Sequence, residues 1–213
     1  MSITLVIILF TALVSITTFG QRTITDQLIF DPTAVTHRQQ WYRFFTSGLI
    51  HADWEHLLFN MLSLFLFGQL VESAFQREVL FGEQGKMIYL TLYLLALPIS
   101  LLPTYFRHRE NKHYRSLGAS GAVSAIVFVG ILLNPTAKMG FFLIPPIIPG
   151  YIFGPLYLLL SAWLGKRGGD HINHSAHISG ALAGIALTCL TASYLQTTYQ
   201  PWQEFLTTVS RQF

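Results

Sequence analysis

Ser120 stands in Gly118-Ala119-Ser120-Gly121 at the head of a run without charged side chains, and His177 stands in Ser175-Ala176-His177-Ile178-Ser179-Gly180 inside another. An imidazole that takes the proton of a serine hydroxyl turns that hydroxyl into a nucleophile. Both groups lie in stretches apolar enough for a bilayer, where a polar side chain is costly and is a functional-site candidate by default. The chemistry this invites is hydrolysis inside a membrane. A second pair, His56 and Asn60, is four residues apart and so shares one helix face. Those two side chains either bond to each other or to a neighbouring span, or they point at an oxyanion. Spacing alone leaves both options open.

The elements that must position these residues are spans. Of 213 residues, 52% are hydrophobic and 11% charged, and the mean hydropathy is +0.47. That is too little charge for an ordinary soluble domain of this size. Runs 1–21, 57–71, 87–106, 117–133, 139–164 and 175–196 contain no Asp, Glu, Lys or Arg. The expectation is an all-α membrane protein of six spans, filling residues 1–213 as one domain without repeats or soluble appendages.

A helix needs about 20 apolar residues to cross ~30 Å of hydrocarbon. The second and fourth runs fall short, which predicts helices beginning below the surface beside a water-filled cavity, where exposed backbone is tolerated. Pro145, Pro146, Pro149 and Pro155 crowd the fifth run, so residues 139–149 read as a re-entrant or interfacial connection and 150–164 as the span. The first run lacks a basic flank and a small-residue cleavage pattern, and is expected to be a retained span. Residues 22–55 hold Trp41, Tyr42, Arg43 and Trp54 and are expected to form a long loop in the headgroup layer.

Formal charge is +3 and the pI about 9.1, yet Lys and Arg are spread over loops rather than gathered on one face. Nucleic-acid binding is not indicated. The stretch from Arg107 to Arg115 is a solvated loop or a contact for anionic lipid headgroups. Cys189 is the only cysteine, so no intrachain disulfide is possible.

Ser120 flanked by Gly118 and Gly121, with Ser124 one turn on, is equally readable as a helix-packing face. Packing does not account for His177 followed by Gly180 and Gly184. That G-x-x-x-G face would bring its span close to a small-residue partner, and the span headed by Ser120 is the obvious one.

Together the residues resemble the rhomboid intramembrane serine proteases. The resemblance runs from Tyr42-Arg43 through the string of His51, His56 and Asn60, Glu72 near the end of that span, G-x-S-G at Ser120 and A-H-x-x-G-x-x-x-G at His177. It implies a six-span bundle with a Ser120/His177 dyad, and an oxyanion hole built from His56, Asn60 and the Ser120 amide. Arg43 would belong to a membrane-embedded structural loop, and His51 would help order the start of the second span. Substrates would be transmembrane segments of other proteins in the lipid bilayer, and no cofactor or metal would be needed. The membrane would be a bacterial cytoplasmic membrane.

Two departures accompany the match. Where the family places an aromatic residue one turn after the nucleophile, to stack on the catalytic imidazole, this chain has Ser124. His177 must then be held by an aromatic from elsewhere or by a hydrogen bond. With the family's cytoplasmic N-terminus, outer loops would hold nine Lys/Arg (22, 38, 43, 107, 109, 112, 115, 166, 167) and inner ones four (77, 86, 138, 211). That runs against the positive-inside tendency; the family orientation is nonetheless the one expected. Two rival readings are a metal-binding or transport protein using a His171, His174, His177 stripe with His51 or His56, and an inactive relative that only binds membrane helices.

Overall fold

A computed structural model describes residues 2–140, 145–169 and 172–213. Helix α1 (Ile3–Thr18) is apolar along its length and short. Its first amides, which no helix can satisfy internally, are taken up by one carboxylate. Glu72 accepts from Ile3 N–H at 2.8 Å, Thr4 N–H at 2.9 Å, Ser2 Oγ–H at 2.7 Å and Thr4 Oγ1–H at 2.8 Å. A negative charge at a helix N-terminus also meets the positive end of the macrodipole. This is how a buried acid survives in an apolar bundle.

The segment expected as an interfacial loop is folded into short helices α2 (Arg22–Leu28), α3 (Pro32–Arg38) and α4 (Arg43–Thr46), closed by a 3-10 turn Ser47–Leu49. Arg43 is the staple: its Nη1 donates to Asp26 O at 2.9 Å and Ile29 O at 2.6 Å, and its Nε to Gln40 Oε1 at 2.7 Å. Phe30, Val35 and Phe44 are buried beneath, packed with Leu101 and Tyr105. Trp41, Tyr42 and Trp54 stay exposed, as interfacial aromatics do.

Helix α5 (Trp54–Phe75) starts at Asp53, whose carboxylate accepts from His56 N–H at 2.7 Å. Its 22 residues correct the expectation of a short second span. The charge-free run stops at Val71 only because Glu72 follows, and that charge is absorbed by α1. Thr4 meets Glu72 while Ser15 meets His51, so α1 runs antiparallel to α5. Helix α6 (Gly85–His108) continues through Pro98 and Pro103.

Helix α7 (Ser120–Leu133) has only 14 residues, as the short fourth run predicts. It is hydrophobic all round and buried on nearly every side, which marks it as the centre of the bundle. A two-residue antiparallel ladder follows, Lys138 opposite Pro149 and Met139 opposite Ile148. The two ends of the expected 139–149 connection thus pair with each other, and its residues 141–144 fall outside the described ones. Helix α8 (Gly150–Arg167) buries only Gly150, Phe153, Gly154 and Ser161. Helix α9 (His174–Tyr194) precedes α10 (Pro201–Ser210), an amphipathic helix that the charge-free runs do not reveal.

Trp54–Phe75, Gly82–His108 and His174–Tyr194 are long and apolar enough to cross a bilayer, and Ile3–Thr18 and Ser120–Leu133 are shorter apolar helices. Leu9, Leu13, Leu66, Leu159 and Leu190 are each more than half exposed. Soluble monomers rarely expose large apolar patches, and leucines exposed on several helices at once suit lipid.

Candidate active site

Ser120 is the first residue of α7, and three contacts fix the chain before it. Gly118 N–H donates to Ser47 O at 2.9 Å. Gly118 has φ +112°, a conformation side-chain-bearing residues rarely adopt, and a Cβ there would lie 2.6 Å from Cε1 of His56. The His56 imidazole is therefore pressed on the backbone two residues before Ser120. Ala119 N–H donates to His51 Nε2 at 3.4 Å. Ser120, Ser47, Gly48, Ser100, Gly118 and Asn173 line one cavity.

His51 has a defined proton. Its Nε2 accepts from Ala119, so Nδ1 carries the hydrogen and donates to Ser15 Oγ at 2.9 Å, and Ser15 Oγ–H passes on to Leu49 O at 2.8 Å. Burial, and then the neighbouring His56, push the His51 pKa down to about 3, against a smaller upward pull from Asp53. The ring stays neutral and ties α1, the start of α5 and the approach to α7 together. Its partners lie on all three segments, wider than the second-span ordering expected of it.

Asn60 is buried and donates from Nδ2 to His56 O at 3.0 Å, one turn back on its own helix. One amide hydrogen is thus spent locally, and Nδ2 carries a second.

Helices α7 and α9 meet backbone to backbone. A Cβ on Gly180 would overlap the Gly121 carbonyl, and one on Gly184 would lie 2.5 Å from Ala125 O. The register advances four residues on each helix, so they run in the same direction. Ser120, one residue before Gly121, and His177, one turn before Gly180, therefore belong to the same ends of two touching helices. Asn173 caps α9 by accepting from Ala176 N–H at 3.1 Å and takes Thr104 Oγ1–H at 3.0 Å, which pins that end to α6. Ser179 Oγ–H donates to Ser100 O at 2.6 Å.

His177 is engaged by α8. Its Nδ1 lies 3.0 Å from the Tyr157 hydroxyl, and the two rings are near-parallel at 20° with centroids 6.4 Å apart. Of the two devices expected to replace the aromatic missing at position 124, Tyr157 supplies the hydrogen bond, its ring meeting the imidazole end to end rather than face to face. Tyr157 carried no signal in the sequence: it is one aromatic among several in a proline-rich run.

Of the histidine stripe, His174 and His177 lie on α9, which begins at His174; His171 lies outside the described residues. Among the described residues no three potential metal ligands converge.

Residues 38–194 match the sequence profile of the Rhomboid domain family. "Rhomboid-like protein 11, chloroplastic" of Arabidopsis thaliana is 29% identical over 162 residues, which is 72% of this chain and 54% of that protein. "RHOMBOID-like protein 12, mitochondrial" of the same plant is 30% identical over 149 residues, 66% of this chain and 44% of that protein. "Putative rhomboid protease YdcA" of Bacillus subtilis is 28% identical over 162 residues, 75% of this chain and 72% of that protein. The matched segment thus spans about half the length of the two plant relatives.

Proposed function

Because the chain belongs to the rhomboid family, and is an integral membrane protein with apolar helices to match, we propose that it is an intramembrane serine endopeptidase. Its substrates are transmembrane segments of other membrane proteins, with Ser120 as nucleophile and His177 as general base. The observation that carries this reading is the close α7/α9 contact through Gly121 and Gly180. It brings a hydroxyl and an imidazole to the same end of two adjoining helices inside an apolar bundle.

The mechanism follows from the groups available. With Nδ1 of His177 facing the Tyr157 hydroxyl, Nε2 is the nitrogen assigned to take the Ser120 proton. Ser120 attacks the scissile carbonyl, His177 returns the proton to the leaving amine, and water hydrolyses the acyl-enzyme. The first amides of α7 have no partners within the helix, so they face the developing oxyanion. His56, seated on Gly118, and the second Asn60 amide hydrogen complete that hole. Gly118 and Gly121 shape the backbone around the serine, Gly180 and Gly184 bring α9 to it, and Arg43 and His51 hold the surrounding loop.

In this reading α1, α5, α6, α7, α8 and α9 are six spans, with α7 sunk inside the bundle. The site lies at the end opposite Glu72, with the α1 N-terminus on the cytoplasmic side. A bacterial cytoplasmic membrane is the proposed setting, supported by the mutual coverage with the Bacillus relative. Reporter fusions at the C-terminus test the orientation.

Protein reconstituted in liposomes with a single-span substrate should cleave it, and Ser120→Ala and His177→Ala should each abolish cleavage without sensitivity to chelator. Cleavage lost on chelation would favour the metal reading. Failure of the wild type to cleave any substrate or to react with a fluorophosphonate would favour an inactive helix-binding relative.

A further inference from the structure

We propose that Tyr157 of α8 is the positioning residue for His177, setting both the plane of the imidazole and the nitrogen that carries its proton; as a statement about catalysis this rests on the protease reading above. The hydroxyl lies 3.0 Å from Nδ1, and the two rings, near-parallel with centroids 6.4 Å apart, meet end to end through that hydroxyl rather than face to face. A bond from a held phenol keeps the imidazole in the common plane and engages one of its two nitrogens, which is how a third catalytic group serves a histidine base.

Tyr157 is itself held. Phe153 stacks on its ring at 15° with centroids 6.2 Å apart, and Phe128 of α7 lies 5.8 Å away. Ser124, a short, buried residue on α7, leaves room for an aromatic arriving from α8.

The direction of the bond decides whether the arrangement helps. A phenol donating to Nδ1 would put the imidazole proton on Nε2 and leave no lone pair for the serine. The protease reading requires the opposite direction, with the phenol oxygen as the acceptor. Nδ1–H then donates to Tyr157, and Nε2 keeps its lone pair for Ser120. The same bond persists when His177 becomes an imidazolium, so nothing need reorganise during proton transfer.

Nitrogen-15 NMR of histidine-labelled protein in micelles, with the His177 signals assigned by their loss in His177→Ala, reads the tautomer directly. The wild type should show His177 protonated at Nδ1, and Tyr157→Phe, which keeps the ring and removes only the hydroxyl, should show a mixture. Fluorophosphonate labelling of Ser120 should slow about ten- to a hundredfold in Tyr157→Phe. An unchanged His177 signal in Tyr157→Phe overturns the proposal. A wild type that takes up no fluorophosphonate would sink the protease reading alone, because the tautomer comparison still decides whether Tyr157 sets His177.

Discussion

Gly180 of α9 rests on the carbonyl of Gly121 of α7, with no room for a methyl group between them. The residue after Ser120 and the residue one turn beyond His177 are thus the closest point of two parallel helices. Gly180→Ala must push the helices apart, and overpacking of this kind costs about 1–3 kcal/mol. The expected outcome is lower thermal stability in detergent and slower fluorophosphonate labelling of Ser120, both by more than Gly184→Ala produces. A Gly180→Ala protein labelled at the wild-type rate would show that this contact does not position the dyad.

Gly118→Ala places a Cβ against the His56 ring and a side chain at φ +112°. Labelling should fall about a hundredfold, the scale of an oxyanion-hole lesion. Removing the obstructing ring as well should couple the two changes: His56→Ala in the Gly118→Ala background should cost much less than in the wild type. Additive losses would mean that the His56–Gly118 contact is not what matters.

Glu72→Ala leaves the amides of Ile3 and Thr4 and the hydroxyls of Ser2 and Thr4 without their common acceptor. The two Thr4 donors are buried, and a buried donor left unsatisfied costs about 1–3 kcal/mol, so a loss of about 2–6 kcal/mol is expected, with Glu72→Gln between Glu72→Ala and wild type. Labelling at temperatures where the protein remains folded should be nearly unchanged, since Glu72 sits at the far end of α5 from Ser120. Chemical or thermal unfolding of the three proteins measures it.

His51 carries a pH dependence whose sign follows from its depressed pKa. Between about 3 in the folded protein and 6.5 in the unfolded chain, the unfolded chain binds the extra proton, so stability rises with pH across that window. His51's contribution is complete above pH about 6.5 and drains away as pH falls toward 3. A protonated ring can no longer accept from Ala119 N–H, so the approach to Ser120 loosens as well. Unfolding followed from pH 7 to pH 4 should show the slope, and His51→Asn should flatten it; an equal slope in both would assign the effect to other groups.

Much of this was legible from residue type and spacing. Gly180 and Gly184 named the face of α9 that would approach another helix, and the glycines around Ser120 named where it would be met. The G-x-x-x-G signal is strong because only glycine permits such an approach, so its chemistry is local to the chain. The length of α5 was misread for the opposite reason. Glu72 is a charge by type, yet its surroundings on α1 make it tolerable inside a bundle, and no run-length criterion sees a partner nearly seventy residues away. His51 was read as serving one helix, while its two nitrogens join three segments that are distant in sequence.

What the sequence determined by itself is the solvent and the reactive types: an apolar, charge-poor chain carrying a serine and a histidine where lipid should be, with glycines that demand close contact. Those properties belong to side chains and their neighbours along one helix. The tertiary structure decided which nitrogen of His51 holds a proton, that His56 lies on Gly118, and that the Tyr157 hydroxyl of α8 meets Nδ1 of His177. Each of those depends on how one helix is rotated against another, and rotation follows from the packing of the whole bundle rather than from any stretch of it.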